Sequence, residues 1–102
     1  MFKTVDGLRY GQLIRSTAGR DRGSLYLIWR TDGEKYLEVV DGEKRPVAKP
    51  KKKNLKHVMI TMLVATEIED LVLKGLPVKD FQIAAAIRSK KKELEEGDRF
   101  HG

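Results

Sequence analysis

Hydrophobic positions change their period near the middle of the chain. In the first sixty residues they fall in short runs, Leu8 to Ser16, Leu25 to Thr31 and Tyr36 to Val40, rich in β-branched, aromatic and aliphatic side chains and separated by Gly or Asp-Gly. In the second run Leu25, Leu27 and Trp29 alternate with Tyr26, Ile28 and Arg30, which predicts a strand with one buried face. Asp32-Gly33 stands where a tight antiparallel hairpin would turn, and Asp41-Gly42 closes the third run in the same way. Pro46 and Pro50 cannot donate to a strand ladder, so the basic segment they punctuate is expected as an exposed loop or edge. Strand character returns from Leu55 to about Leu63. Five short strands with glycine turns and no long helix between them predict a small β-barrel.

Beyond residue 64 the spacing is helical. Thr66-Glu67-Ile68-Glu69 matches a capping box, in which the Thr hydroxyl and the Glu carboxylate each satisfy a free amide. The helix it starts should reach Lys74 and stop at Gly75 and Pro77. Asp80 is a candidate N-cap for a second helix, Phe81 to about Glu95, with Phe81, Ile83, Ala84 and Ile87 toward the barrel and Lys90, Lys91, Lys92, Glu93 and Glu95 toward water. A barrel of about sixty residues buries too little surface to be secure alone. The expected organisation is therefore mainly β, a barrel over 1–64 with a helical C-terminal extension over 65–102 packed on it as a lid. Gly97 to Gly102 reads as a frayed tail.

Composition narrows the class. A chain of 102 residues has room for one core, and with no cysteine it carries no disulfide framework, thiolate metal site or cysteine nucleophile. The opening Met1-Phe2-Lys3-Thr4-Val5-Asp6 lacks the apolar run of a signal peptide, and its acid comes too early for a transit peptide. The longest uncharged apolar stretch, Val58 to Thr66, is nine residues, about half of a membrane span. The expectation is a cytoplasmic protein with no membrane partner.

Charge then points to a partner. The net charge of +6 is uneven: residues 1–57 hold 14 Lys and Arg against 7 acids, and residues 58–102 hold 7 against 8. Lys44 to His57 carries seven cations (Lys44, Arg45, Lys49, Lys51, Lys52, Lys53 and Lys56) and no acid, a concentration suited to a polyanion such as nucleic acid.

The segment Gly11-Gln12-Leu13-Ile14-Arg15-Ser16-Thr17-Ala18-Gly19-Arg20-Asp21-Arg22-Gly23-Ser24-Leu25-Tyr26-Leu27-Ile28 resembles a KOW motif, a strand, a glycine-bounded polar loop and a second strand. Asp41-Gly42-Glu43-Lys44-Arg45-Pro46 and Pro50-Lys51-Lys52-Lys53-Asn54-Leu55-Lys56-His57 are similar to the continuation in small KOW-domain RNA-binding proteins that resemble large-subunit ribosomal proteins. The likeness covers Leu8 to Val58 and leaves the helical end outside it. It implies an SH3-like barrel, RNA binding and no catalysis, and no cofactor is expected.

The same residues have a physical logic of their own. Gly19 and Gly23 bracket Arg20-Asp21-Arg22 and would let a phosphate or sugar approach the main chain, and Gly11 is the third of the candidate loop glycines. Arg20 and Arg22 would offer planar forks to phosphates, with Asp21 orienting one of them or capping the turn. Lys51, Lys52, Lys53 and Lys56 would contact phosphates around Asn54, which could hydrogen-bond a sugar or base edge. His57 reads as a packed or capping side chain, and Tyr10, Tyr26, Trp29 and Tyr36 fall on strands, so recognition of shape and backbone is expected over stacking on single strands. His57 and His101 are not spaced for a metal, and Ser16, Ser24 and Ser89 lack a nucleophile context, so neither a metal site nor an enzyme is expected. The reading is an RNA-binding protein that docks on structured RNA, expected to be ribosomal RNA, as a ribosomal or ribosome-associated component of a ribonucleoprotein in translation. The alternative is a protein-interaction adaptor of the transcription or translation machinery, in which the barrel or the Ala84-Ala85-Ala86 helix binds another protein.

Overall fold

A computed structural model of the chain describes the backbone of residues 5–101 and the side chains of residues 5–97. The N-terminal segment read above for targeting signals lies partly outside these residues, as does Gly102. Five strands, β1 (Gln12–Ser16), β2 (Leu25–Thr31), β3 (Tyr36–Val40), β4 (Lys51–Asn54) and β5 (Val58–Val64), precede two helices, α1 (Thr66–Leu73) and α2 (Asp80–His101). A short 3-10 turn, Leu55–His57, joins β4 to β5. The strands form one open antiparallel sheet in the order β4-β3-β2-β1-β5.

That order and that short link cannot coexist in a flat sheet. Strands lie about 4.8 Å apart, so β4 and β5, four ladder steps from each other, would be separated by roughly 19 Å. The four Cα steps from Asn54 to Val58 can reach only about 15 Å when fully extended, and a 3-10 turn reaches less. The sheet must curl until its edges approach. Side-chain contacts agree with this, because Lys53 on edge strand β4 donates to Ser16 Oγ at the end of β1, 3.0 Å away.

Each face of the curled sheet carries a core. Inside the curl Ile14, Tyr26, Ile28, Leu37, Val39 and Leu55 form one core. On the other face Leu13, Leu27 and Val40 pack with Ala65, Ile68, Val78, Ile83 and Ala86 from the helical part. The expectation of a single buried face in β2 is therefore corrected. Tyr26 and Ile28 fill the inner core while Leu27 is fully buried in the outer one, flanked by partly buried Leu25 and Trp29.

Local details shift the expected boundaries. The first strand starts at Gln12 rather than Leu8, because Leu8 to Gly11 forms a turn closed by the Gln12 amide on the Arg9 carbonyl. Gly11 and Gly42 lie directly against the starts of α1 and α2, and both have positive φ (77° and 79°). A Cβ at Gly42 would stand 2.3 Å from the Asp80 carbonyl oxygen, and one at Gly11 2.9 Å from that of Ala65. A register shift in β5 opposite Leu13 is closed by buried side chains, with Thr61 Oγ1 donating to the Leu13 carbonyl and Gln12 Nε2 to the Thr61 carbonyl.

The capping box at Thr66 is not formed. Ala65 is the N-cap, without a side-chain cap bond, and Glu69 is taken instead by Arg9, whose Nε and Nη2 stand 2.7 and 2.5 Å from its two carboxylate oxygens. At the second helix Asp80 Oδ1 accepts the Val47 amide, and Gln82 reaches back to the Lys79 amide. Lys79, one residue earlier than expected, thus occupies the capping position. The helix continues to His101 instead of ending near Glu95 in a frayed tail. Its core-facing stripe is buried Ile83 and Ala86 with partly buried Ile87 and Leu94. Phe81 is 71% exposed, because at about 100° per residue it lies nearly opposite Ile83. Lys90, expected in water, is half-buried and paired with Glu93.

Candidate nucleic-acid interface

The β1–β2 loop, residues 17–24, is held by its own acid. Two successive tight turns, Arg22 amide to Gly19 carbonyl and Ser24 amide to Asp21 carbonyl, shape it, with φ of 88° at Gly19 and 91° at Gly23. Asp21 turns inward. Its Oδ1 accepts from Ser16 Oγ (2.8 Å) and Lys53 Nζ (3.1 Å), and its Oδ2 from Tyr26 Oη (2.7 Å) and Lys51 Nζ (3.0 Å). Burial alone would raise the Asp21 carboxyl. The hydrogen bonds from Tyr26, Lys51, Ser16 and Lys53 more than reverse this and hold it well below the usual carboxylate range. The Tyr26 phenol is pushed up, first by burial and then by its bond to Asp21.

Alternation along β4 decides which lysines reach Asp21. Paired with β3, Lys51 and Lys53 stand opposite Val39 and Leu37 and share their inward side, whereas Lys52 and Asn54 stand opposite Glu38 and Tyr36 on the outer side. Lys53 is buried and also donates to the Ala18 carbonyl. Its cation is spent inside the protein, and Lys51 is largely spent in the same way. Lys52 is exposed, paired with Asp32 at 3.2 Å and lying 4.6 Å over the Tyr36 ring. The basic segment is thus a true edge strand, despite its lysines, because an internal carboxylate draws two of them in.

The remaining sequence-derived residues fall around this anchor. Arg20 and Arg22, on either side of Asp21, are exposed and form no ion pair among the described residues. Asp21 therefore orients neither arginine. It fixes the backbone that carries both. Asn54 Oδ1 caps the 3-10 turn by accepting the Lys56 amide, and Lys56 and His57 are exposed. The His57 carbonyl accepts the Thr17 amide at 2.9 Å, which seats the turn against the loop. Arg20, Arg22 and Lys56 are thereby carried by two adjoining loops on one rim of the sheet. Gly11 lies apart from this rim, against α1.

Sequence reasoning missed the inward carboxylate and its partners Ser16 and Tyr26. The available signal was the spacing, since Ser16, Asp21 and Tyr26 straddle one loop symmetrically and Lys51 and Lys53 share a parity. Among the described residues no helix is long and apolar enough to cross a membrane, and no group of three or more acids or histidines is placed to hold a metal. No family model and no curated protein sequence matches the chain.

Proposed function

We propose that the chain is an RNA-binding module of the KOW type that docks on structured RNA, with ribosomal RNA as the intended partner, and acts in the cytoplasm as a ribosomal or ribosome-associated protein without enzymatic activity. The observation that carries the reading is the rigid presentation of Arg20 and Arg22. Two guanidiniums on a loop locked by four bonds to Asp21 lose little freedom on meeting a backbone of fixed shape. Lys56 on the adjoining turn and Lys52 on the outer face extend the positive rim, while Lys51 and Lys53 serve by positioning it. The curl of the sheet, with β5 returning beside β1 after a 3-10 turn, supports the finer description as an SH3-like barrel.

The test compares an RNA hairpin with a single-stranded homopolymer. Arg20→Gln with Arg22→Gln should weaken hairpin binding more than homopolymer binding, since shape rather than charge alone is being read. Equal losses would reduce the loop to general electrostatics, and wild-type protein that binds neither RNA would end the proposal. A second reading, an adaptor that binds another protein through the helical part, is favoured by one observation. Leu73, Leu76 and Phe81, around the link between the helices, are 68%, 50% and 71% exposed.

A further inference from the structure

The seam between the sheet and α2 opens into a groove of about 510 Å³. One side is the α2 stripe Ala84, Ile87, Arg88 and Lys91, spaced three and four residues apart so that all four face the same way. Ala84 is small, which leaves room. Across from it stand Arg15, two residues beyond Leu13 on the helix-facing side of β1, and Lys44 from the β3–β4 connection. None of Arg15, Lys44, Arg88 and Lys91 is in an ion pair among the described residues. Arg15 Nε is buried and has no hydrogen-bond partner. A buried donor left unpaired is costly, so an acceptor brought beside the Arg15 guanidinium would be stabilising.

The acids nearby do not supply one. Asp41 Oδ1 is occupied by the amides of Glu43 and Arg45, and neither Asp41 nor Glu43 pairs with a groove cation. What would satisfy the site is a compact anion with several acceptor oxygens, matched to the Arg15 guanidinium and three further cations. From these observations we propose that the groove is a phosphate-binding site. Gly23 and Ser24 line its mouth and directly follow Arg22, so a strand lying over the β1–β2 loop would carry its next phosphates toward it. The phosphate is either a backbone phosphodiester, a source that rests on the RNA-binding reading, or the phosphate of a small soluble compound, a source that does not.

Full-length labelled protein tests this by NMR at the Arg15 Nε–Hε resonance, titrated with inorganic phosphate against chloride at equal ionic strength, and separately with an RNA hairpin. Arg88→Gln with Lys91→Gln alters exposed side chains and should leave the melt unchanged, and Lys92→Gln removes a neighbouring charge outside the groove. The expected result is a saturable shift with phosphate that weakens at least tenfold in the double variant and is unaffected by Lys92→Gln. If the RNA backbone is the source, the double variant also lowers the slope of log affinity against log salt by about 1.8 on duplex RNA. A phosphate response with unchanged RNA binding supports the site and assigns it to a soluble compound. An Arg15 resonance that ignores both ligands, or a double variant that behaves as Lys92→Gln does, overturns the proposal while leaving the RNA-binding reading standing. Wild-type protein that binds no RNA would end that reading, and the phosphate titration would still decide the groove.

Discussion

Lys53 reaches from the edge strand into the curl and places its Nζ 3.1 Å from Asp21 Oδ1, with the two side chains only 8% and 12% exposed. The pair joins residues far apart in the chain and makes a lysine-rich segment part of the fold. Removing one member of a buried pair leaves the other charge unpaired and costs about 3–5 kcal/mol.

Asp21→Asn should therefore be the most damaging single change at this site. It strands Lys53 and deprives Lys51, Ser16 and Tyr26 of an ionised acceptor. At about 4–8 °C per kcal/mol for a domain of this size, the melting temperature should drop by well over 10 °C. Lys53→Met should cost less, because Lys51 still partners the carboxylate. Lys51→Gln, at a more exposed position, should cost less than about 1 kcal/mol. Thermal melts of the three variants check the order, and a reversed order would mean that the lysines and not the acid dominate.

Stability should fall at both ends of the pH scale for reasons traceable to two residues. An unfolded carboxyl titrates near 4, and Asp21 is held below that, so its stabilising effect is complete above this range and lost as pH falls through the folded value. The Tyr26 phenol is raised above an unfolded value near 10, so its effect is complete below that and lost as pH rises further. Urea midpoints across pH should show both limbs, with Asp21→Asn flattening the acid one and Tyr26→Phe its share of the alkaline one.

The outer core separates two apolar residues of α2 that look equivalent in sequence. Ile83 is fully buried against Leu13 and Leu27, and Ile83→Ala should cost about 2–5 kcal/mol. Phe81→Ala should stay within about 0.5 kcal/mol, as exposed positions do. Denaturant unfolding of the two variants gives the comparison directly.

The strands were legible wherever period and turn chemistry agreed. Leu25–Thr31 and Tyr36–Val40 fall as read, because Asp32-Gly33 marks the hairpin between them from both sides. Lys51–Asn54 was only half legible. Lysine and asparagine have little strand preference of their own, and what makes them a strand is pairing with β3 and a carboxylate thirty residues earlier. The two-sided burial was hidden for a related reason. Period two separates the faces of a strand but does not say whether the second face meets water or a helix. The exposed cations Arg20, Arg22, Lys52 and Lys56 could be named from sequence, and parity sets Lys51 and Lys53 apart from Lys52, but which parity turns inward is decided only by the pairing with β3.

Two glycines with similar backbone angles should respond very differently to a methyl group. Gly42→Ala must accept both a positive φ, costing about 1–2 kcal/mol, and a Cβ driven into the start of α2. Gly33→Ala faces the first cost with open space around it. Gly42→Ala should thus lower the melting temperature by clearly more than Gly33→Ala, and equal effects would show that α2 shifts away easily.

The pairing of β1 with β5 governs when the molecule can acquire its shape during synthesis. Gln12 lies opposite Val64, and both layers of packing against β1 draw on later residues, Val58 and Ile60 inside the curl and Ile83 and Ala86 outside it. A chain emerging from its N-terminus can make the β2–β3 hairpin early, yet β1 keeps one edge open until β5 has appeared and its outer face uncovered until α2 has. Leu13 and Ile14 are the residues a holding chaperone would meet in that interval.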